Sequence, residues 1–313
     1  MVDHGNHDLL IVLLKFALNR VEQSNGDETI RKFKDDVDGV AAVIGTIMAL
    51  MVFLAFISLF VLYWVPVMME DNEARHMRTV LDQFGDLKVA VDDQILKDNK
   101  NSTPFSPIKL GADGVPMFER ESPGELSLRL NSEFFNCTFQ DSGEDIFENT
   151  SGSIDLVVYN RFYVMQTLIY ENGAVFIHQK QGDVLKVEPT FNVEVEGDNV
   201  RLSATLISLL HDNDNSIAGI GLEGVTTRLY YTDRWTYTNI TSPNRGVTFN
   251  ISSRYTDAWN KYYDGALSNA GLVEGVDYNI TTDSNKLSIS IDRVSELSLS
   301  HAFVKTYIGK ATT

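Results

Sequence analysis

Residues 39–69 read GVAAVIGTIMALMVFLAFISLFVLYWVPVMM and contain no Asp, Glu, Lys, Arg or His. At about 1.5 Å of rise per residue, a helix of this length crosses the ~30 Å hydrocarbon core of a bilayer. A secretory signal peptide has a shorter apolar segment, roughly 7 to 15 residues, followed by a small-residue cleavage site. Bulky Trp64, Pro66 and Met68 stand here instead. The stretch predicts a retained transmembrane helix over 39–69, with membrane lipid as its partner.

The charges beside this helix predict its orientation. Arg31, Lys32 and Lys34 lie just before it, whereas the first charged residues after it are acidic, beginning with Glu70. Basic residues are retained on the cytoplasmic side of a membrane. We therefore expect a single-pass protein of the cell membrane, with a cytoplasmic N-terminus and an extracellular C-terminal domain.

The composition agrees with a surface-exposed domain. The formal net charge is −17, which gives no basic footprint for nucleic acid and excludes it as an expected partner. Cys137 is the single cysteine, so no intramolecular disulfide can form and the external domain must depend on its hydrophobic core. Six glycosylation sequons all follow the anchor, which is consistent with export; their asparagines are Asn101, Asn136, Asn149, Asn239, Asn250 and Asn279.

Two segments flank the anchor. Residues 1–38 form a polar cytoplasmic leader whose apolar patch, Leu9–Leu18, is too short to span a membrane, so it is a helix at the cytoplasmic interface or a small docking element. Residues 70–98 predict an amphipathic stalk helix, with Pro66 marking a kink near the membrane surface. Apolar residues recur in this stalk at steps of three and four, at Met77, Val80, Leu81, Phe84, Leu87, Val91 and Ile95. This face either packs on the following domain or meets neighbouring copies.

Residues 99–313 predict a β-rich extracellular domain, after a linker of turn-forming residues that begins at Asn99. Period-two alternation predicts half-buried strands at residues 125–130, 153–159, 190–196, 200–206, 286–292 and 297–305. One late helix is predicted over Ser253–Ala270, where Tyr255, Trp259, Tyr262, Tyr263 and Leu267 recur at helical spacing as core residues. The predicted fold class is α+β: a long transmembrane and stalk helix followed by a sandwich-like β domain.

The sequence offers no catalytic constellation. It contains no nucleophile elbow, phosphate-binding glycine loop, dinucleotide fingerprint or metalloprotease helix, so neither an enzyme nor a cofactor is expected. A weak calcium-loop pattern places Asp212, Asp214, Ser216 and Glu223 at loop positions 1, 3, 5 and 12. The glycine required at position 6 is replaced by Ile217, so a solvated hairpin loop is the expected structure and no metal site is predicted.

The segment from Lys34 to Leu54 resembles the N-terminus of archaeal type IV pilin-like proteins, in which charged residues and a small residue precede a V-x-x-V-I-G opening to a long apolar helix. The stalk and the late segment 245–267 are similar to those of little-characterised archaeal membrane-anchored proteins with the same start. The resemblance implies cleavage by a prepilin peptidase after Gly39, with Asp38 before the cut and Val40 as the mature N-terminus. It also implies self-association or assembly with other pilin-like subunits.

Two functions remain open on the sequence. The first is a pilin-like cell-surface structural or adhesion protein that displays an acidic, glycosylated β domain. The alternative is a permanently anchored ligand-binding or sensing module that forms no filament. An anchored enzyme is a third, weaker hypothesis, because no catalytic constellation is visible.

Overall fold

The structure is a computed structural model that describes residues 37–241 and 243–309, with side chains from Val40 onward. The predicted leader, including the patch Leu9–Leu18, falls outside these residues apart from the start of the first helix. The chain divides into two compact units between Leu59 and Phe60. Helix α1 belongs to the first unit, and all the remaining described elements belong to the second.

The apolar stretch and the stalk are helical from Val37 to Leu96. Helix α1 covers Val37–Leu59, a π-helical turn covers Phe60–Trp64, and helix α2 covers Val65–Leu96. Pro66 explains the position of the π turn, because its ring clashes with the carbonyl four residues earlier and it has no N–H to donate. The kink predicted at Pro66 stays a prediction; what the structure contains is the π-helical turn just before this residue.

Fourteen strands follow in the described part of the second unit, with one short helix among them. The strands are β1 (Phe105–Lys109), β2 (Gly124–Asp141), β3 (Glu144–Val158), β4 (Gln166–Glu171), β5 (Ala174–Gln179), β6 (Gly182–Val187), β7 (Phe191–Glu196), β8 (Asn199–Leu210), β9 (Asn215–Gly219), β10 (Leu222–Tyr237), β11 (Val247–Ser252), β12 (Tyr278–Asp283), β13 (Lys286–Ile291) and β14 (Val294–Ile308). Helix α3 covers Thr256–Asn269.

The strands form two sheets. The smaller sheet has the order β1-β10-β14-β8-β7, and the larger has the order β12-β13-β11-β2-β3-β4-β5-β6, with β9 paired to the start of β2. Strands β8 and β14 are parallel to each other, whereas the other described pairs are antiparallel. Each strand predicted from alternation corresponds to an observed strand, although the predictions for β3, β7 and β13 each extend one residue beyond it. The late helix is confirmed as α3, which is shorter than the predicted 253–270.

Two hydrophobic cores hold the second unit together, and each combines residues from both sheets. The stalk core contains the buried face of α2 and the halves of β2, β3, β8, β10 and β14 that lie nearest to it. The aromatic core contains α3, β11, β12, β13 and the other halves of β2, β8 and β14. Trp259 is central to the aromatic core, with its ring 4.8 Å from that of Phe135 and 5.0 Å from that of Phe176.

A bulge in β2 allows one strand to serve both cores. Before the bulge Leu126 and Leu128 face the stalk core, and after it Phe135 and Cys137 face the aromatic core. The register between β2 and β3 shifts between Arg129 and Phe134, so the inward side of β2 changes from even to odd residues. The protein is thus an α+β fold in which a long apolar helix precedes a β-rich domain.

Candidate functional site

Helix α1 presents an apolar surface that nothing in its own unit covers. Among the described residues, one continuous helix is long and apolar enough to cross a membrane, and its apolar window is entirely exposed. Phe53, for example, is 58% exposed. The predicted processing residues Asp38, Gly39 and Val40 lie at the start of α1, in helical backbone.

The π turn ends the exposed apolar surface with two aromatic side chains. Tyr63 and Trp64 are both about two-thirds exposed, whereas the next residue, Val65, is buried against Val115 and its neighbours. Aromatic residues of this kind concentrate at the level of lipid headgroups. Phe60 is half-buried against Phe118, and Val65 is the first fully buried residue, so packing on the domain begins before the predicted boundary between anchor and stalk at residues 69 and 70.

Helix α2 packs its predicted stripe on the β domain of its own chain. Six of the seven stripe residues are buried and Leu81 is half-buried; the buried six are Met77, Val80, Phe84, Leu87, Val91 and Ile95. The helix contacts β1 and β10 of one sheet and β4 and β5 of the other, so it closes the stalk core between the two sheets. Of the two alternatives that the sequence left open for this face, packing on the domain is the one observed.

Glu73 is a buried acidic residue that hydrogen-bonds α2 to the β domain within this interface. Its side chain is fully buried, and one carboxylate oxygen accepts hydrogen bonds from the Ser122 hydroxyl and the backbone N–H of Arg161. The other oxygen accepts from the backbone N–H groups of Phe162 and Tyr163, at 2.8 and 2.6 Å. Burial alone raises the pKa of such a carboxyl, but these four hydrogen bonds outweigh it and lower the pKa of Glu73 below 4.5. The carboxylate is charged in the folded protein and fixes α2 to the loop after β3.

Sequence reasoning missed Glu73, although a signal was present. It lies four residues after Met69 and four before Met77, both of which are buried. An acidic residue on the same helix face as an apolar stripe is buried with it, so its carboxylate requires hydrogen-bond donors inside the interface. His76 behaves similarly, because burial lowers its pKa and its Nε2 contacts the Lys109 carbonyl at 2.8 Å.

Four of the six predicted sequons lie on one outward face of the larger sheet, which we call the asparagine face. The register places Asn250 beside Asn136, and Asn136 beside Asn149, in one row across β11, β2 and β3. Ser288 and Thr281 extend the row over β13 and β12. The neighbouring row contains Asn279, Ser290, Thr248, Thr138 and Phe147.

The asparagine face is mostly uncharged in a strongly acidic protein. The Ser288 hydroxyl donates to Asn250 Oδ1 at 2.8 Å, and the Thr248 hydroxyl donates to Ser290 Oγ at 3.3 Å. A shallow depression of about 390 Å³ lies over β2, β11, β12 and β13 and is bordered by Lys286 and Asp283. The other two sequons lie elsewhere, since Asn101 follows α2 and Asn239 follows β10, and both are exposed.

A cleft that we call the edge cleft lies where α3 crosses the outer strands of the two sheets. It has a volume of about 620 Å³ and is lined by β6, β7 and one side of α3. Phe191 and Tyr262 supply aromatic surface, with ring centroids 6.5 Å apart, while Glu188 and Lys261 supply opposite charges. Burial raises the pKa of Tyr262, and the Glu188 charge raises it further. The sequence contained no signal for this cleft, because its walls come from three separate segments.

A buried acidic cluster joins the two cores. Burial, and then the nearby Glu133 charge, raise the pKa of Glu171 to about 8, although Trp259 Nε1 and the Ser253 hydroxyl donate to its carboxyl at 2.8 and 3.1 Å. Arg254 bridges Glu133 and Asp155 beside it. Glu171 is fully buried at the tip of the β4–β5 hairpin and borders none of the clefts described above, so its position favours a role in packing over one in catalysis.

The weak calcium pattern is divided between the two sheets. Ser216 lies in β9, paired with β2, whereas Glu223 lies in β10, paired with Ile108 of β1. Asp214 Oδ1 accepts a hydrogen bond from the Leu130 backbone N–H at 2.8 Å, and Asp212 lies in the turn before β9. Within residues 37–241 and 243–309, no group of three or more His, Cys, Asp and Glu residues is placed to hold a metal ion.

The fold defines a class of protein: an α+β chain with one helix apolar and long enough to span a membrane and a β-rich domain after it. Residues 124–301 match the model of a family of unknown function, DUF7289, and the chain belongs to that family. The matched region runs from the start of β2 into β14 and includes α3, the asparagine face and the edge cleft. No curated protein and no solved structure matches the chain.

Proposed function

We propose that this protein is a pilin-like structural or adhesion protein of the cell surface, anchored by α1 and displaying its β-rich domain outside the cell. One observation carries the proposal: the helical chain is apolar and exposed through Leu59, whereas from Phe60, whose ring packs on Phe118, and Val65 onward one side of it is covered by its own domain. A bare apolar helix requires lipid or other helices around it, because no solvent-facing role compensates such a surface.

The position of the aromatic pair supports a domain that starts at the membrane surface. Tyr63 and Trp64 are suited to the headgroup region, and Glu70 and Asp71 follow within about two helical turns. The hydrogen bonds of Glu73 to the loop after β3 hold the start of α2 to the β domain within the second unit.

The composition of α1 also supports assembly with further copies or with other pilin-like subunits. In lipid, helices gain nothing from hydrophobic burial, so association depends on close packing between small residues. Such residues are spread along α1, at Ala41, Ala42, Gly45, Ala49 and Ala55. Cleavage by a prepilin peptidase between Gly39 and Val40 would place these residues at the very start of the mature chain.

Two measurements test this proposal. Protease added to intact cells should remove epitopes that follow Asn99, and protection of those epitopes until the membrane is broken would mean an inverted topology. Mass spectrometry of the native protein should find Val40 at its N-terminus, and sheared filaments should contain the chain. An intact leader on a protein found only in membranes would contradict the filament role.

The second candidate is a permanently anchored binding or sensing module, and the edge cleft favours it. Aromatic surface beside a Lys, a Glu and two Asn side chains, Asn192 and Asn269, suits recognition of a small polar ligand. The same mass spectrum separates the two functions. A retained leader, membrane-only location and a ligand-dependent rise in melting temperature that Lys261→Ala abolishes would support the binding module.

A further inference from the structure

The six sequons are equivalent in sequence, but the folded domain makes them unequal. In a strand, residues i and i+2 point to the same side. Each of the four sequons on the asparagine face therefore presents its asparagine and its hydroxyl residue together, on the outward side of the sheet. The four differ in which neighbours flank their strands.

Two of the four lie in strand segments with a free edge. Asn279 is in β12, which has β13 as its one strand partner in the described residues and forms the margin of the sheet; on its other side only Tyr278 is bridged, to Glu274. Asn149 is in the first half of β3, which pairs with β2, whereas β4 pairs only with residues 153–158 of β3. Both side chains are exposed. These segments can open locally at little free-energy cost, because most backbone groups along one side of each have no strand partner among the described residues.

The other two lie in the interior of the sheet. Asn136 is flanked by β3 and β11, and Asn250 is flanked by β2 and β13, so both backbones are hydrogen-bonded on each side. Both side chains are half-buried. Asn136 Oδ1 is enclosed without a partner in the described residues, and Asn250 Oδ1 is held by Ser288. Both asparagines therefore lie on strands that cannot open without breaking backbone hydrogen bonds on two sides.

We propose that Asn149 and Asn279 carry N-linked oligosaccharides and that Asn136 and Asn250 do not. The donor class is an oligosaccharide linked to a lipid phosphate. The asparagine Nδ2 forms a bond to the anomeric carbon, the bond from that carbon to the lipid phosphate oxygen breaks, and the lipid phosphate leaves with the electron pair. The amide proton passes to a base of the transferase.

The two modified positions lie at opposite margins of the asparagine face, and this placement has a physical consequence. A free strand edge is a template for pairing with another chain. A bulky, hydrated glycan beside each free segment covers that template, while the interior of the face between them stays flat and polar. The inference rests on the proposed export of the domain.

The test is glycan mapping on the full chain purified from its own membranes. A glutamate-specific protease cuts at Glu144 and Glu148 and so separates Asn136 from Asn149, and it cuts at Glu274 between Asn250 and Asn279. Mass spectrometry should find glycan on the peptides of Asn149 and Asn279 and unmodified peptides for Asn136 and Asn250. Ser151→Ala and Thr281→Val should each remove one glycan mass, whereas the matched variants Ser252→Ala and Thr138→Val should remove none.

Glycan mapping of the protein without substitutions decides the question even where a variant fails to fold. A bare Asn149 or Asn279, or an occupied Asn136 or Asn250, overturns it. Glycan on Asn101 and Asn239 together with a bare asparagine face overturns this inference and leaves the proposed export standing. Protection of the domain from protease on intact cells instead overturns the proposed function.

Discussion

The two helices before the β domain follow each other along the chain but have opposite surfaces. Helix α1 has no charged residue after Asp38 and exposes apolar side chains all round, whereas α2 carries charges on one side and buries the other. Both helices contain phenylalanine and glycine, so matched residues can be compared between them. The difference between an exposed and a buried residue of the same type is then measurable.

The largest expected effect comes from the two phenylalanines. Phe84→Ala removes a fully buried ring from the stalk core and should lower the free energy of unfolding by about 3–5 kcal/mol. Phe53→Ala in α1 should leave the unfolding of the β domain unchanged. Chemical unfolding of the full chain in detergent micelles measures both. Equal losses in the two variants would mean that α2 is no more covered than α1.

Glu73 provides the next comparison. Glu73→Ala leaves the backbone N–H groups of residues 161–163 without their acceptor, so we expect a loss of about 2–3 kcal/mol in unfolding free energy. Glu70→Ala changes an exposed residue of the same type and should shift the value by less than about 0.5 kcal/mol. A Glu73 variant as stable as the Glu70 variant would show that the buried carboxylate does not hold α2 in place.

Acidification should weaken the packing of α2 on the β domain and should leave α1 unaffected. Because hydrogen bonds lower the pKa of Glu73, its stabilising contribution is present above about pH 4.5 and is lost as the pH falls toward its folded value. Glu171 acts in the opposite direction, since its pKa of about 8 means that its contribution is lost as the pH rises from about 4.5 to 8. Unfolding free energies between pH 5 and pH 3 should therefore be measured in a Glu171→Gln background.

In that background, the chain with Glu73 should lose stability on acidification more steeply than the chain with Glu73→Gln. Membrane retention should not change over the same range, because no titratable side chain lies between Val40 and Leu62. Parallel pH profiles for the two chains would mean that Glu73 is not charged in the folded protein.

Substitution of Gly85 and Gly45 should give the smallest difference in unfolding free energy. A Cβ added at Gly85 in α2 or at Gly45 in α1 meets no atom within 4 Å. Gly85→Ala should raise the free energy of unfolding by about 0.5–1 kcal/mol, because the unfolded chain loses conformational freedom. Gly45→Ala should have no effect on the unfolding of the domain. A loss of stability in Gly85→Ala would indicate a closer approach to this helix than the structure contains.

The sequence predicted six of the fourteen described strands and missed, among others, the two strands between the cores. Strands β4 and β5 face the stalk core with Tyr170 and Val175 and the aromatic core with Ile169 and Phe176. Strands buried on both sides have no polar alternation, so period-two analysis does not detect them. The turn Asn172-Gly173, in which both residues have positive φ, was the available signal for this hairpin.

The sequence by itself determined the properties that depend on neighbours along one helix or one strand. An uncharged run defined the apolar helix, the steps of three and four defined the buried side of α2, and alternation defined strands such as β8 and β13. These patterns are local, because side-chain direction follows from the backbone periodicity of a single element. The apolar stripe could not, however, identify what would cover it.

Only the tertiary structure decided what those surfaces meet. The stripe of α2 is covered by four strands from the β domain of the same chain, and Glu73 is satisfied by backbone groups about ninety residues later in the sequence. The asparagine face likewise exists only because the strand register places Asn136, Asn149 and Asn250 in one row. Register is set by long-range pairing and by the bulge in β2, and a shift of one residue would turn every side chain of a strand to its other side.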